Sequence, residues 1–299
     1  MRRRYDKSWF SYEQQVQKLI ERGLVVQDHA AAQRFLAHLN YYRFSGYCLA
    51  FEAERHVFRE GTTFEDVVAA YEFDRSLRDL LTEALETIEV DLRTTVAYHF
   101  GQEYGAFGHT VPANFFRTNG HAGWINRLRD EADRSKELFV THFRHNYQEF
   151  PDLPIWIVTE VMSFGSLSKM YRCMQRQDQR KIARRYGVQP ADLENWMHHC
   201  VYVRNLCAHH SRLWDRKWAI RPALLAGKSW HPPFLPDNKR PFATLLVFRH
   251  LLKRMSAVAA FAAHWAHRIE EHIVSPPFVA NPLETMGLTP NWKSHPVWK

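Results

Sequence analysis

One short run of this 299-residue sequence holds most of the residue types that acid–base or phosphate chemistry needs. The run "RNLCAHH" spans residues 204–210 and contains an arginine, an asparagine, a cysteine and two adjacent histidines. Four kinds of site could use these residues: a metal centre, a nucleophilic cysteine, a site that handles phosphate, or a polar patch without chemistry. The spacing of the residues on a helix narrows the choice.

A metal centre would use the cysteines and histidines of this run and of the turn before it. Cys200 and Cys207 are two helical turns apart, about 10 Å along the axis, whereas sulfurs that share one zinc ion each lie about 2.3 Å from it. Both share a helix face with Val203, which favours two small core residues. No glycine-rich turn or helix start adjoins Cys207 to lower its thiol pKa. We therefore expect no metal ion, no cofactor and no nucleophilic cysteine.

Arg204 and His209 have the spacing R-x4-H, which suits cleavage of RNA by its own 2′-hydroxyl group. Histidine titrates near neutral pH and transfers protons, and arginine presents fixed donors to a phosphate. Asn205 could orient either group. Residues five apart lie about 140° apart around an ideal helix, so the pair converges only if the helix ends or bends there, or if the arginine reaches across. The run "AHHSRLW" is typical of a helix end.

Hydrophobic periodicity and capping residues predict helices along almost the whole chain. A capping box of Thr62 and Glu65 is expected to start a long helix, with a break near Asp74. The aromatic run "LNYYRFSGY" is expected to form a turn packed on the core. The predicted helices cover 11–23, 28–39, 62–100, 124–143, 155–162, 166–174, 178–186, 190 to the motif, and 242–273.

The sequence therefore predicts an all-α fold with three parts. Residues 1–60 form an N-terminal helical extension, 61–274 form a helical bundle, and 275–299 form a proline-rich tail that lies extended on the surface. Neither an alternating strand pattern nor an internal repeat is present.

The composition indicates which partners the protein binds and in which cellular compartment it works. Forty Lys and Arg against 32 Asp and Glu give a formal charge of +8, which favours acidic partners such as nucleic acid. The four cysteines form no C-x-x-C, which is typical of a reducing cytoplasm. The N-terminus lacks the apolar core of a signal peptide, and no window is apolar enough to span a membrane. We expect a cytoplasmic protein without a membrane partner.

Four runs of the sequence resemble those of a known protein family. The run "RNLCAH" matches the R-N-x-x-x-H form of the HEPN ribonuclease motif. Together with "LNYYRFSGY", "FDRSLRDLLTEALETIEVDLRTTVAYHF" and "MSFGSLSKMY", it resembles the Abi-like family of bacterial abortive-infection proteins, of the AbiD/AbiF type, over residues 9–273. The resemblance implies a HEPN-like helical bundle, similar to those of RNA-guided type VI CRISPR nucleases. It also implies metal-independent endoribonuclease activity that is toxic to an infected cell.

Carried over by position, the resemblance assigns Arg204 and His209 to the catalytic pair and Asn205 to a variable polar position. Many HEPN proteins build one composite site from two motifs, and this chain carries one, so a homodimer is implied. RNA is the expected substrate, and a neighbouring antitoxin or a small structured RNA could keep the toxin silent. His210 has no motif position and is kept as a supporting residue.

A second polar set lies on the long predicted helix and consists of Glu89, Arg93 and His99. Glu89 and Arg93 are four residues apart and either form an ion pair or support the active site, as a charged residue of an earlier helix does in the resembling family. Both interpretations stay open.

RNA contacts are expected from two basic regions. Arg43 lies in the aromatic run, where core packing competes with stacking on RNA bases. Lys181, Arg184 and Arg185 form a basic patch, which is either an RNA track or a solvated helix face. The second functional hypothesis is a non-catalytic helical RNA-binding protein, in which the proton chemistry of His209 is not needed.

Overall fold

Helices make up most of the described part of the chain, which comprises residues 8–234, 236–274 and 282–299 of the computed structural model. This part contains thirteen α-helices and one small antiparallel hairpin, β1 (Glu52–Glu54) with β2 (Val57–Phe58). The prediction of an all-α fold is therefore confirmed. The helices are α1 (Tyr12–Ile20), α2 (His29–Leu39), α3 (Tyr41–Cys48), α4 (Phe64–Tyr104), α5 (His121–Arg134), α6 (Leu138–Asn146), α7 (Ile155–Val161), α8 (Phe164–Cys173), α9 (Arg176–Tyr186), α10 (Pro190–Ala208), α11 (Pro241–Lys253), α12 (Ala259–Val274) and α13 (Pro282–Met286).

The 41-residue helix α4 is the element around which the others pack. It begins with a capping box between Thr63 and Asp66, one residue beyond the predicted pair. The predicted break near Asp74 is wrong, because Asp74 and Arg78 fill core positions and interrupt only the apolar pattern. Helices α3, α7, α9, α10, α11 and α12 all contact α4.

Three other predictions of local structure are wrong. The aromatic run is helix α3 and not a turn; its N-cap Asn40 accepts a hydrogen bond from the N–H of Tyr42 at 2.8 Å. The helix expected over 124–143 is two helices, α5 and α6, and Arg144 of α6 donates to the last carbonyls of α5. The helix expected over 242–273 is also two helices, α11 and α12. Residues 254–258 separate them, and Met255 of this segment is buried.

The C-terminal tail differs from the expectation of an extended surface segment. Residues 275–281 lie outside the described part, but 282–299 contain α13 and a 3-10 turn, and they pack onto the bundle. Trp298 is buried, and its indole N–H donates to Glu270 of α12 at 2.7 Å. The ring of Trp292 lies 5.8 Å from that of Phe242. Two tryptophans bury enough apolar surface to hold such a tail in place.

The boundary expected near residue 60 is crossed by hydrogen bonds. The N–H of Val25 donates to the carbonyl of Thr62, and the N–H of Phe64 donates to the carbonyl of Val25, each at 2.9 Å. The three-part division of the chain stays a prediction. No helix of the described part combines the length and the hydropathy that a membrane span needs.

A buried carboxylate joins α3, α4 and the segment that follows α10. Asp74 accepts hydrogen bonds from the hydroxyl of Tyr47 at 2.7 Å and from the backbone N–H groups of Leu213 and Trp214 at 2.9 and 2.5 Å. It also pairs with Arg78, one helical turn further on. Burial raises the pKa of the Asp74 carboxyl, and the Arg78 charge and the N–H of Trp214 oppose that rise.

Breaking this pair should destabilise the fold strongly. In Asp74→Asn the buried Arg78 loses its counter-charge, and removing one partner of a buried ion pair typically costs about 3–5 kcal/mol. Urea unfolding measures the loss. The control is Glu72→Gln on the same helix, whose pair with Arg75 is solvent-exposed and should contribute less than about 1 kcal/mol. Equal stabilities for the two variants would contradict the assigned role of Asp74.

A second buried polar group, His199, holds α10 against α11 and the loop between them. Its Nδ1 lies 2.7 Å from the carbonyl oxygen of Ile220, and its Nε2 lies 2.8 Å from the hydroxyl of Thr244. Burial lowers the pKa of this imidazole to about 4. A histidine that is neutral when folded binds its proton more readily when unfolded, so acid favours unfolding.

Stability should therefore fall as the pH drops from the ordinary histidine pKa of about 6.5 toward 4. His199 alone should account for about 2 kcal/mol of loss between pH 7 and pH 5. Thermal unfolding of the wild type and of His199→Gln at both pH values tests this. The variant is less stable at pH 7 but should lose less on acidification. An identical pH dependence would contradict the assignment.

Candidate active site

Helix α10 ends inside the motif, as the sequence predicts. His209 is the C-cap of the helix, and its N–H donates to the carbonyl of Asn205 at 3.0 Å. His210 has φ of 52°, a left-handed conformation that favours glycine. Its N–H donates to Cys207, and the N–H of Ser211 donates to Leu206 at 2.8 Å. This pattern turns the chain sharply away from the helix axis.

All four polar residues of the motif are exposed. Arg204 and Asn205 lie on the last turn of α10, and His209 and His210 lie in the turn that ends it. The Nη1 of Arg204 donates to the side-chain oxygen of Asn205 at 3.4 Å, and no ion pair to Arg204 is found in the described part of the chain. The guanidinium is therefore available to a ligand.

A cleft of about 990 Å³ opens beside this turn, between α2, α3, α4, α7 and the end of α10. Arg204 and His210 line it, whereas His209 does not, although it lies between two residues that do. The charged lining residues carry both signs. The basic ones are Arg43, Arg75, Arg78, Arg93 and Arg204, and the acidic ones are Asp79, Glu86, Glu89 and Glu160.

The turn is held from the side of α3 as well as by Asp74. Arg43 donates to the carbonyl of His210, and Arg212 donates to the carbonyl of Gly46 at 2.9 Å. Arg43, expected as an RNA contact, thus positions the motif turn in the structure. Tyr47 of the same aromatic run is buried in the core and cannot stack on RNA bases.

Glu89 and Arg93 form the ion pair that their spacing allows, and both line the cleft. The buried Arg93 also donates to the carbonyls of Thr159 and Met162, so it fastens α4 to the end of α7. His99 lies further along α4, outside the lining of the cleft. Burial and the nearby Lys181 and Arg185 lower the pKa of His99.

The basic patch on α9 is partly neutralised. Lys181 pairs with Glu103 at 2.7 Å, and Arg185 pairs with Asp91 at 2.6 Å, both on α4. Arg184 is exposed, and no partner is found for it among the described residues. The pairs dock α9 onto α4 and leave Arg184 as the free cation of the predicted three.

The two cysteines of α10 are core residues, as expected. Cys200 and Cys207 are both buried, and burial raises the pKa of the Cys207 thiol to about 11. A thiol with a raised pKa is a poor nucleophile at neutral pH. Among the described residues, no three His, Cys, Asp or Glu side chains are grouped as a metal site would need.

Sequence reasoning missed the residues that position the motif. Asp74 and Arg78 lie more than 130 residues from the turn that they hold, and a gap in the apolar periodicity of α4 was the local sign of them. The acidic lining of the cleft by Asp79, Glu86 and Glu160 was missed too, because no local pattern places these residues beside Arg204.

Comparison with models of known protein families gives a match. The model of the family described as Abi-like protein matches residues 34–215, which is 182 of the 299 residues and includes α3, α4 and all of α10. No curated protein and no solved structure matches the chain. The family match supports a role in abortive infection, a form of phage defence. The chain belongs to the Abi-like protein family.

Proposed function

We propose that this protein acts in abortive infection as an endoribonuclease that cleaves RNA without a metal ion. The supporting observation is the end of α10, where Arg204, Asn205, His209 and His210 are all exposed and Arg204 and His210 line a large cleft. The helix stops at Ala208 and the chain turns at His209 and His210, which is the kind of helix end that an R-x4-H pair needs in order to converge.

In the proposed reaction His209 accepts the proton of an RNA 2′-hydroxyl group. The 2′-oxygen attacks the adjacent phosphorus, the bond to the 5′-oxygen breaks, and that oxygen takes up a proton. Arg204 donates hydrogen bonds to the phosphate, where negative charge builds up during the attack. Asn205 accepts from Arg204 and limits the directions in which the guanidinium can turn.

A second copy of the chain would complete this site. In-line attack needs a proton acceptor on one side of phosphorus and a proton donor on the other, and one histidine does not easily serve both in one turnover. The single-chain cleft also carries exposed acids such as Glu86 and Glu160 beside Arg204, which disfavour RNA phosphates. A two-fold axis beside the motif turn would add a second Arg204 and His209.

The remaining basic residues have smaller proposed roles. Arg184 is the member of the α9 patch that is free to contact RNA, and His210, which lines the cleft, is the alternative proton carrier. A neighbouring antitoxin or a small structured RNA as the silencing partner stays an expectation.

Replacing the proposed proton carrier should abolish cleavage but not binding. His209→Ala should cut labelled RNA about 10²–10⁴-fold more slowly, the usual effect of losing a general acid or base, with RNA affinity unchanged. The matched control is His198→Ala, since His198 is also an exposed histidine of α10. Cys207→Ser should have a much smaller effect than His209→Ala.

The same assay separates the alternatives. If the wild type binds RNA and does not cut it, the non-catalytic RNA-binding hypothesis is correct. If His210→Ala loses activity and His209→Ala retains it, the proton carrier is His210.

The composite site predicts that an inactive copy disables its wild-type partner. A mixed dimer of the wild type and His209→Ala holds a single His209, so excess His209→Ala should lower the cleavage rate of the wild type, whereas a site built from one chain would keep its rate. Light scattering should show a dimer at the assay concentration. A monomer that stays fully active at high dilution contradicts the composite site.

A further inference from the structure

A second cavity, of about 470 Å³, lies between the start of α5 and the end of α8. Four cationic side chains line it, Arg117, Arg127, Lys169 and Arg172, and none of its lining residues is acidic. The motif cleft differs in this respect, because its arginines alternate with carboxylates. A cavity with cations alone favours an anionic ligand.

One nearby carboxylate compensates part of this charge. Glu194, at the start of α10, lies 3.4 Å from both Arg117 and Arg172. Arg127 and Lys169 are exposed and have no ion-pair partner in the described ranges. Four cations against one paired carboxylate leave an excess of positive charge at the cavity, which the more distant Glu131 offsets in part at Arg127.

Backbone donors at the start of α5 add to this charge. The N-cap Gly120 has φ of 79° and no side chain to cap the helix, and open space surrounds its Cβ position. No acceptor is found among the described residues for the N–H groups of Ala122 and Gly123. The guanidinium of Arg127 lies beside this first turn, 3.9 Å from the Cβ position of Gly123. Free N–H groups and the helix dipole favour an anion here.

An independent observation comes from Trp124, which also lines the cavity. Its side chain is 7% exposed, and its buried indole N–H has no hydrogen-bond acceptor in the described part of the protein. Buried donors without an acceptor are rare in folded proteins. This nitrogen is closed off from solvent, so a ligand oxygen in the cavity supplies the missing acceptor only after the ring rotates toward it.

We propose that this cavity binds the terminal phosphate of a ligand of nucleotide size. Its volume lies within the range of sites for small organic ligands, and phosphate oxygens suit both the cations and the free N–H donors. The phosphate belongs either to a free nucleotide or to the 5′ end of an RNA. Glu194 and Arg204 are ten residues apart on α10, about 15 Å along the axis. The cavity is thus a separate site and does not depend on the proposed ribonuclease activity.

Calorimetry on the full chain tests the proposal with five probes. Three of them are adenosine, AMP and ATP. The other two are one tetranucleotide with a 5′-phosphate and with a 5′-hydroxyl end, whose 2′-O-methyl groups prevent cleavage by the 2′-oxygen. At least one phosphorylated probe should bind at least tenfold more tightly than its counterpart without a phosphate. Binding of AMP or ATP indicates a free nucleotide, and preference for the 5′-phosphorylated oligonucleotide indicates an RNA end.

Matched double variants locate the binding. Arg127→Ala with Lys169→Ala removes the two unpaired cations of the cavity and should weaken the phosphorylated probe by roughly tenfold or more. Arg55→Ala with Arg180→Ala removes the same charge from exposed positions of the hairpin and α9 and should change affinity less than about twofold. The proposal is overturned if no probe binds, or if the two double variants lose affinity equally. It is also overturned if AMP binds no more tightly than adenosine and the two oligonucleotides bind equally.

Discussion

The buried carboxylate of Asp74 is the interaction on which the candidate active site depends. It binds α3 through Tyr47, its own helix through Arg78, and the segment after α10 through two backbone N–H groups. These three elements are far apart in sequence, so only the folded chain brings their donors together. A buried charge is tolerated when its partners satisfy it, and here those partners fix where α10 ends.

The position of the motif follows from that anchor. Because Leu213 and Trp214 are tied to α4, and Arg43 holds the carbonyl of His210, the turn at 209–210 has little freedom. His210 adopts a backbone conformation that most side chains avoid, which costs of order 1–3 kcal/mol and persists where surrounding contacts enforce it. Strain of this kind is often found at functional sites, and it agrees with a turn that serves chemistry.

Local sequence signals predicted the helices well and their interruptions poorly. The periodicity of α4 was readable because Leu77, Leu81 and Ile88 recur on one buried face. The breaks at 135–137 and 254–258 contain neither glycine nor proline, so no strong local signal marks them. Helix α3 was missed because its aromatic side chains suggest a packed turn, and the order of the tail comes from tryptophan contacts with α11 and α12. The exposed end of α10 was predictable from "AHHSRLW", whereas the contacts that position it were not.

The two sites at opposite ends of α10 differ in their electrostatics. The motif cleft mixes arginines with acids, while the cavity beside Glu194 is lined by four cationic side chains and no acidic one. The positive formal charge of the chain alone does not separate these surfaces. Their different lining explains why the proposed reaction calls for a second copy and the proposed phosphate site does not.

The central claim is that the end of α10 cleaves RNA by proton transfer and phosphate contacts alone. Analysis of the ends of RNA cut by the purified protein in excess EDTA tests this most directly. The account predicts that cleavage continues and leaves a 2′,3′-cyclic phosphate and a 5′-hydroxyl group. Cleavage that requires added Mg²⁺ or Zn²⁺, or products that carry a 5′-phosphate, would contradict it.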